Sequence, residues 1–167
     1  AKAESLGVNK AKKNWNSVGD HAPAYLINLY LATGEENYAK FLEDTFDTIC
    51  DHFPDYGYSP FMNEKFFDDW THDLKWGIHQ ARCVVGHNLK VAWNLTRMHS
   101  LMPKESYKTF AHQIADAIPA AGCDNQRGGW YDMMERTLKD GEENYRRVWH
   151  DRKAWWQQEQ GILAYYI

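Results

Sequence analysis

Apolar residues recur at three- and four-residue steps through most of this chain, the spacing that lines them along one face of a helix. Gly19-Asp20-His21-Ala22-Pro23 marks a helix start, because Asp20 can accept from exposed N–H groups and Pro23 is tolerated in a first turn. The helix runs to about Thr33, and Gly34 ends it. From Glu35, the set Tyr38, Phe41, Leu42, Thr45, Phe46, Ile49 and Phe53 forms one face of a second helix that Pro54 closes. The very short turn between them predicts an antiparallel helical hairpin.

Asp55 to Lys75 shows no sustained period and reads as a long loop, a feature that compact domains keep mainly for function. A third helix is predicted from about Gly86 to Met102, before Pro103, and it is apolar on much of its circumference. A fourth carries Tyr107, Phe110, Ala111, Ile114, Ala115 and Ile118 on one face and stops near Pro119 and Gly122. That contrast predicts an inner helix followed by an outer one. Arg127-Gly128-Gly129-Trp130 breaks the helical period, so a short hairpin or irregular loop is expected up to His150. A fifth helix starts around Asp151 to Ala154 and is still apolar at Ile167.

The 167 residues have the length of one domain. Mean hydropathy is -0.71, and no stretch approaches the ~20 apolar residues of a spanning helix, so no membrane association is expected. Ala1 to Asn14 lack the apolar run of a signal peptide. Net charge is -4 with signs interspersed, which leaves no basic face for nucleic acid. Cys50, Cys83 and Cys123 are too few and too widely spaced for a disulfide framework or a structural zinc site, and a cytoplasmic location is expected. The excess is aromatic: eight Trp, several beside charged residues, suit the flat C–H faces and hydroxyls of a sugar, although most are expected simply to fill the core.

Two segments concentrate candidate chemistry, Gly86-His87 followed by Trp93, and Lys153-x-Trp155-Trp156-x-x-Glu159. With the alternating helices and the Gly-Gly-Trp turn, they resemble the N-acylglucosamine 2-epimerase superfamily, which includes cellobiose 2-epimerases and mannose-type aldose–ketose isomerases. The resemblance spans about Asp20 to Ile167. It implies an all-α fold of the (α/α)6-barrel type, here incomplete, with about five of twelve helices in a single partial domain over residues 1–167. Two departures stand out. Lys90 occupies the position, three residues after the histidine, where the family usually has glutamate, and the second catalytic histidine of the family has no counterpart in this chain.

The resemblance implies His87 as the catalytic base that moves the C2 proton of a reducing sugar, a task imidazole suits because its ordinary pKa is ~6.5. Near a helix N-terminus its neutral form is expected to be favoured. By spacing alone, a helix-terminus cap or packing role is the favoured reading of His87, and only the resemblance reverses it. His21, Arg82, Trp156 and Glu159 are the implied substrate contacts. Trp155 and Trp156 project about 100° apart, so only one is expected at a cavity. His72, His79, His150, Asp73 and Asp151 raise a metal site, but without an HExxH pattern none is predicted. No phosphate loop or dinucleotide fingerprint is present, and no cofactor is expected.

The expected function is therefore a sugar 2-epimerase or aldose–ketose isomerase with a small-molecule sugar as partner. The alternatives are a non-catalytic carbohydrate-binding or assembly module, and a helical-toroid glycoside hydrolase using two of Asp68, Asp69, Asp73 and Glu159. Five helices cannot close a ring of twelve, so apolar faces around Leu26–Leu31, Val91–Leu95 and Ile162–Ile167 are expected to be exposed and to drive homodimerisation.

Overall fold

The computed structural model describes residues 13–73, 82–148 and 150–167. Five α-helices form its frame: α1 (Ala22–Thr33), α2 (Glu36–His52), α3 (Val85–Leu101), α4 (Glu105–Gly122) and α5 (Trp155–Tyr166). Four short strands join them in pairs. β1 (Lys13–Asn14) lies antiparallel to β2 (Lys65–Phe66), and β3 (Arg82–Val84) antiparallel to β4 (Met133–Glu135), with Arg82 opposite Glu135. The insertion between α4 and α5 turns back on itself at the antiparallel Met134–Arg147 bridge, and its strand β4 also pairs with β3, which leads directly into α3.

α1 stops as its glycine predicts: Gly34 takes the left-handed conformation, φ 71°, and its N–H donates to the Tyr30 carbonyl at 2.8 Å. Its start differs from expectation. A π-helical turn, Asn16–Asp20, precedes it, and no side chain caps α1. Asp20 faces Lys90 instead, because that cation offers a stronger partner than a frayed amide.

The core is continuous and heavily aromatic. Trp15, Phe46, Phe53, Phe61, Phe66, Tyr107 and Phe110 are fully buried, joined by Leu42, Ile49, Leu89, Ile114 and Ile118. α2 and α4 bury single apolar stripes, Ala39-Leu42-Phe46-Ile49 and Tyr107-Phe110-Ile114-Ile118. α3 is buried almost all round, since α4 packs on one side of it and α5 on another. Val91–Leu95 is accordingly inside the core, a correction to its expected exposure. The two remaining expected patches are open: Leu29 and Leu31 on α1, and Ile162, Leu163, Tyr165, Tyr166 and Ile167 at the end of the chain.

The segment after α2 is irregular but not loose. Phe61, Met62, Asn63 and Glu64 are all buried. Arg136, 3% exposed, holds it by donating to Asp55 Oδ2 at 2.6 Å, the Phe61 carbonyl at 3.0 Å and Asn63 Oδ1 at 2.6 Å. The Met62 N–H donates to Asn88 Oδ1 on α3 at 3.0 Å, and the Asn63 N–H to the Phe53 carbonyl at 2.8 Å. Buried backbone groups that no helix or sheet satisfies find side-chain partners here, which is what allows an aperiodic stretch to cross the interior.

Candidate functional site

α3 begins where β3 ends, and the junction is pinned from α5. Gln157, fully buried, accepts from the Gly86 N–H at 2.6 Å and donates from its amide to Asp132. One turn of α5 further on, Gln160 Oε1 accepts from the Trp93 indole at 2.8 Å. Gln158 accepts from the Trp130 N–H at 2.7 Å and donates to the Trp130 carbonyl at 2.9 Å, fastening α5 to the Gly-Gly-Trp turn. The glutamines of the Trp-Trp segment therefore work as ties between α5, α3 and that turn.

A cavity of about 390 Å3 opens beside this junction, lined by Asp20, His21, His87, Lys90, Trp155, Trp156 and Gln160. That volume suits a small organic ligand. A larger and shallower hollow of about 550 Å3 lies among Glu142, Tyr145, Arg147 and His150, far along the chain from the Gly-His junction. The smaller, deeper cavity is the one that holds His21, His87 and Trp156.

Three of the expected site residues meet here. The His87 ring lies 5.5 Å from the Trp156 ring, and His21 lines the same wall with its Nε2 3.2 Å from Asp20 Oδ2. Both tryptophans border the cavity, where one was expected; it sits at the first turn of α5 and so spans neighbouring positions. Arg82 and Glu159 do not line it. Arg82 is held in the β3–β4 ladder opposite Glu135. Glu159 is exposed, in a stripe with Trp155, Ile162 and Tyr166 at i, i+4, i+7 and i+11 of α5.

The electrostatics of the site rest on two residues that sequence reasoning did not pair. Glu64 Oε2 lies 2.9 Å from His87 Nδ1, and the Glu64 side chain is only 3% exposed. Burial pushes the His87 pKa down, but the Glu64 charge and hydrogen bond, with Asp20 further off, outweigh it and raise the value above 6.5. This corrects the expectation that the helix terminus would favour the neutral ring. A full carboxylate in contact outweighs a partial helix charge. Lys90, also buried, donates to Asp20 Oδ1 at 3.0 Å.

Of the carboxylates weighed for glycoside hydrolysis, none borders the cavity. Asp69 accepts from Thr71 at 2.7 Å in its own turn, and Asp73 is buried elsewhere. His79 lies outside the described residues. Among the described residues no group of three or more His, Cys, Asp or Glu is placed to hold a metal ion, no helix is long and apolar enough to cross a membrane, and the three cysteines are free.

No protein-family model matches the sequence, and a search of curated proteins finds no match. Solved structures do match in fold. D-mannose isomerase superposes with a TM-score of 0.63 at 20% identity, over 86% of this chain and 36% of that one. Cellobiose 2-epimerase from Spirochaeta thermophila DSM 6192 superposes with a TM-score of 0.55 at 16% identity, over 71% of this chain and 30% of that one. The chain thus has an incomplete α/α-barrel fold. It spans about a third of the length of these two structures.

Proposed function

We propose that this chain is the proton-transfer segment of a sugar 2-epimerase or aldose–ketose isomerase, with His87 as the group that moves the proton. The observation that carries the reading is the His87 ring in a cavity wall, 5.5 Å from the Trp156 ring, in a fold shared with a sugar epimerase and a sugar isomerase. A reducing sugar in its open-chain aldehyde form presents an acidic hydrogen at C2. His87 takes that proton, the C–H electron pair moves into a C1–C2 double bond, and the carbonyl oxygen gains the charge. Return of that proton by His87 to C1, with the O2–H proton passing to the C1 oxygen, gives the ketose; the epimer forms when a second acid delivers a proton to the opposite face of C2. The Trp156 and Trp155 faces cover the apolar side of the sugar, and His21 reaches its hydroxyls.

A second reading, a non-catalytic carbohydrate-binding module, draws on Lys90, whose ammonium is committed to Asp20. The two separate in deuterated water with N-acetylmannosamine, mannose and cellobiose. Deuterium entering at C2, and its loss in a folded His87→Ala variant, supports proton transfer. Sugar binding without exchange supports the module, and exchange that survives His87→Ala removes His87 from the chemistry.

A further inference from the structure

His87 has two ring nitrogens, and among the described residues only one has a hydrogen-bond partner. Nδ1 meets Glu64 Oε2 at 2.9 Å, which leaves Nε2 as the nitrogen for the cavity that His87 lines. Glu64 comes from the aperiodic segment before β2, and everything around it restrains it. Its carbonyl accepts the Trp15 N–H at 3.0 Å, and the two residues before it are tied to Asn88, Phe53 and Arg136. Its other oxygen, Oε1, is buried and has no hydrogen-bond partner among the described residues.

A buried carboxylate with one idle oxygen is costly to hold as an anion, so the fold has retained it for its other contact. That contact is the imidazole. We infer that Glu64 is the positioning residue of the site: it accepts the Nδ1–H of His87 and so keeps the ring in the tautomer whose Nε2 lone pair is available to a ligand. The inference rests on the proposed role of His87 as the proton-transfer group.

The same contact sets when the ring changes charge. The groups facing His87 are Glu64 and Asp20, which favour the imidazolium, and Lys65, which opposes it, with Lys90 and His21 in the same cavity wall. Trp15 and Trp156 enclose the ring without charge, at centroid distances of 6.2 and 5.5 Å. The neutral ring is then a base through Nε2, and the protonated ring an acid through the same atom. One nitrogen can both remove the C2 proton and return it to C1 on the same face while Glu64 keeps the other occupied.

Nitrogen-15 imidazole spectra of the whole chain test this without any turnover, with His87→Gln assigning the signal. The neutral ring of the unsubstituted protein should show the Nδ1–H tautomer. In Glu64→Gln, which keeps the shape and an acceptor but removes the charge, the His87 titration midpoint should fall by about one pH unit or more, a tenfold loss of proton affinity. The low-pH limb of any C2 exchange should move down by the same amount. An Nε2–H tautomer in the unsubstituted protein, or an unchanged midpoint in Glu64→Gln, overturns the inference, and the tautomer decides alone if that variant does not fold. The Nδ1–H tautomer together with a lowered midpoint, but no C2 exchange on any sugar, would leave Glu64 as the partner of His87 and remove the epimerase reading instead.

Discussion

Lys90 on α3 donates to Asp20 in the turn before α1 at 3.0 Å, and both side chains are about nine-tenths buried. The pair bridges 70 residues of sequence and ties the start of α1 to the first turns of α3. It also gives Lys90 a structural role, since its neighbour is a carboxylate.

Lys90→Glu should therefore damage the protein. It would set two buried carboxylates against each other, and loss of one partner from a buried pair alone costs about 3–5 kcal/mol. Urea unfolding should show that loss for Lys90→Glu and most of it for Lys90→Ala. Asp20→Leu combined with Lys90→Met should recover much of it, because no unpaired charge remains. A Lys90→Glu variant as stable as the parent would show that the pair is not a structural tie.

Gly86 and Gly161 are the positions at which α3 and α5 come close to side chains. A Cβ on Gly86 would fall 2.5 Å from Gln157 Cγ and 2.6 Å from Trp156 Cζ3, and one on Gly161 would fall 2.0 Å from Trp130 Nε1. Each Ala variant should lose about 1–3 kcal/mol through overpacking. Gly86→Ala should in addition shift Trp156 relative to His87, which a change in the His87 ring shifts would report. Gly161→Ala should leave that signal in place.

Asp124 gives the turn between α4 and β4 a pH dependence. Lys153 at 2.7 Å, then the Arg127 and Gln126 N–H groups, hold its carboxyl well below the usual range against the opposing effect of desolvation. A depressed folded value means that stability is present above the unfolded pKa of about 4 and is lost as pH falls through the folded value. Asp124→Asn should thus unfold at lower denaturant than the parent at pH 7, with the gap closing below about pH 4. A gap independent of pH would mean that shape, not charge, makes the contribution.

The open stripes of α1 and α5 predict self-association. Tyr25 is 66% exposed and Leu31 58%, while Ile162 is 68% and Tyr166 86%. Contiguous apolar surface of this kind is uncommon on soluble monomers. Light scattering at micromolar concentration should give twice 19.6 kDa, and Ile162→Lys should restore the monomer. A stable dimer needs an interface above about 1,000 Å2. A monomer mass for the parent would end this expectation.

The helices were legible in the sequence wherever burial is one-sided. α2 and α4 each present a single apolar stripe to the core, so the period of about 3.6 residues appears directly in Leu42-Phe46-Ile49 and Phe110-Ile114-Ile118. Gly34 and Pro54 marked ends because their backbone restrictions are local. The Gly86-His87 and Trp155-Trp156 segments stood out locally, and the fold brings His87 beside Trp156. What the sequence could not show was pairing at a distance. Nothing local in Asn63-Glu64-Lys65 distinguishes a buried carboxylate from a solvated one; Arg136, Asn88 and Phe53, from three other parts of the chain, hold that segment inside and deliver Glu64 to His87. The roles of Gln157 and Gln160, the exposure of Glu159 and the partner of Lys90 likewise follow from how α5 and α1 lie against α3. Side-chain periodicity is a property of one element, whereas the charge and tautomer of an imidazole depend on whichever groups the assembled fold brings within hydrogen-bonding distance.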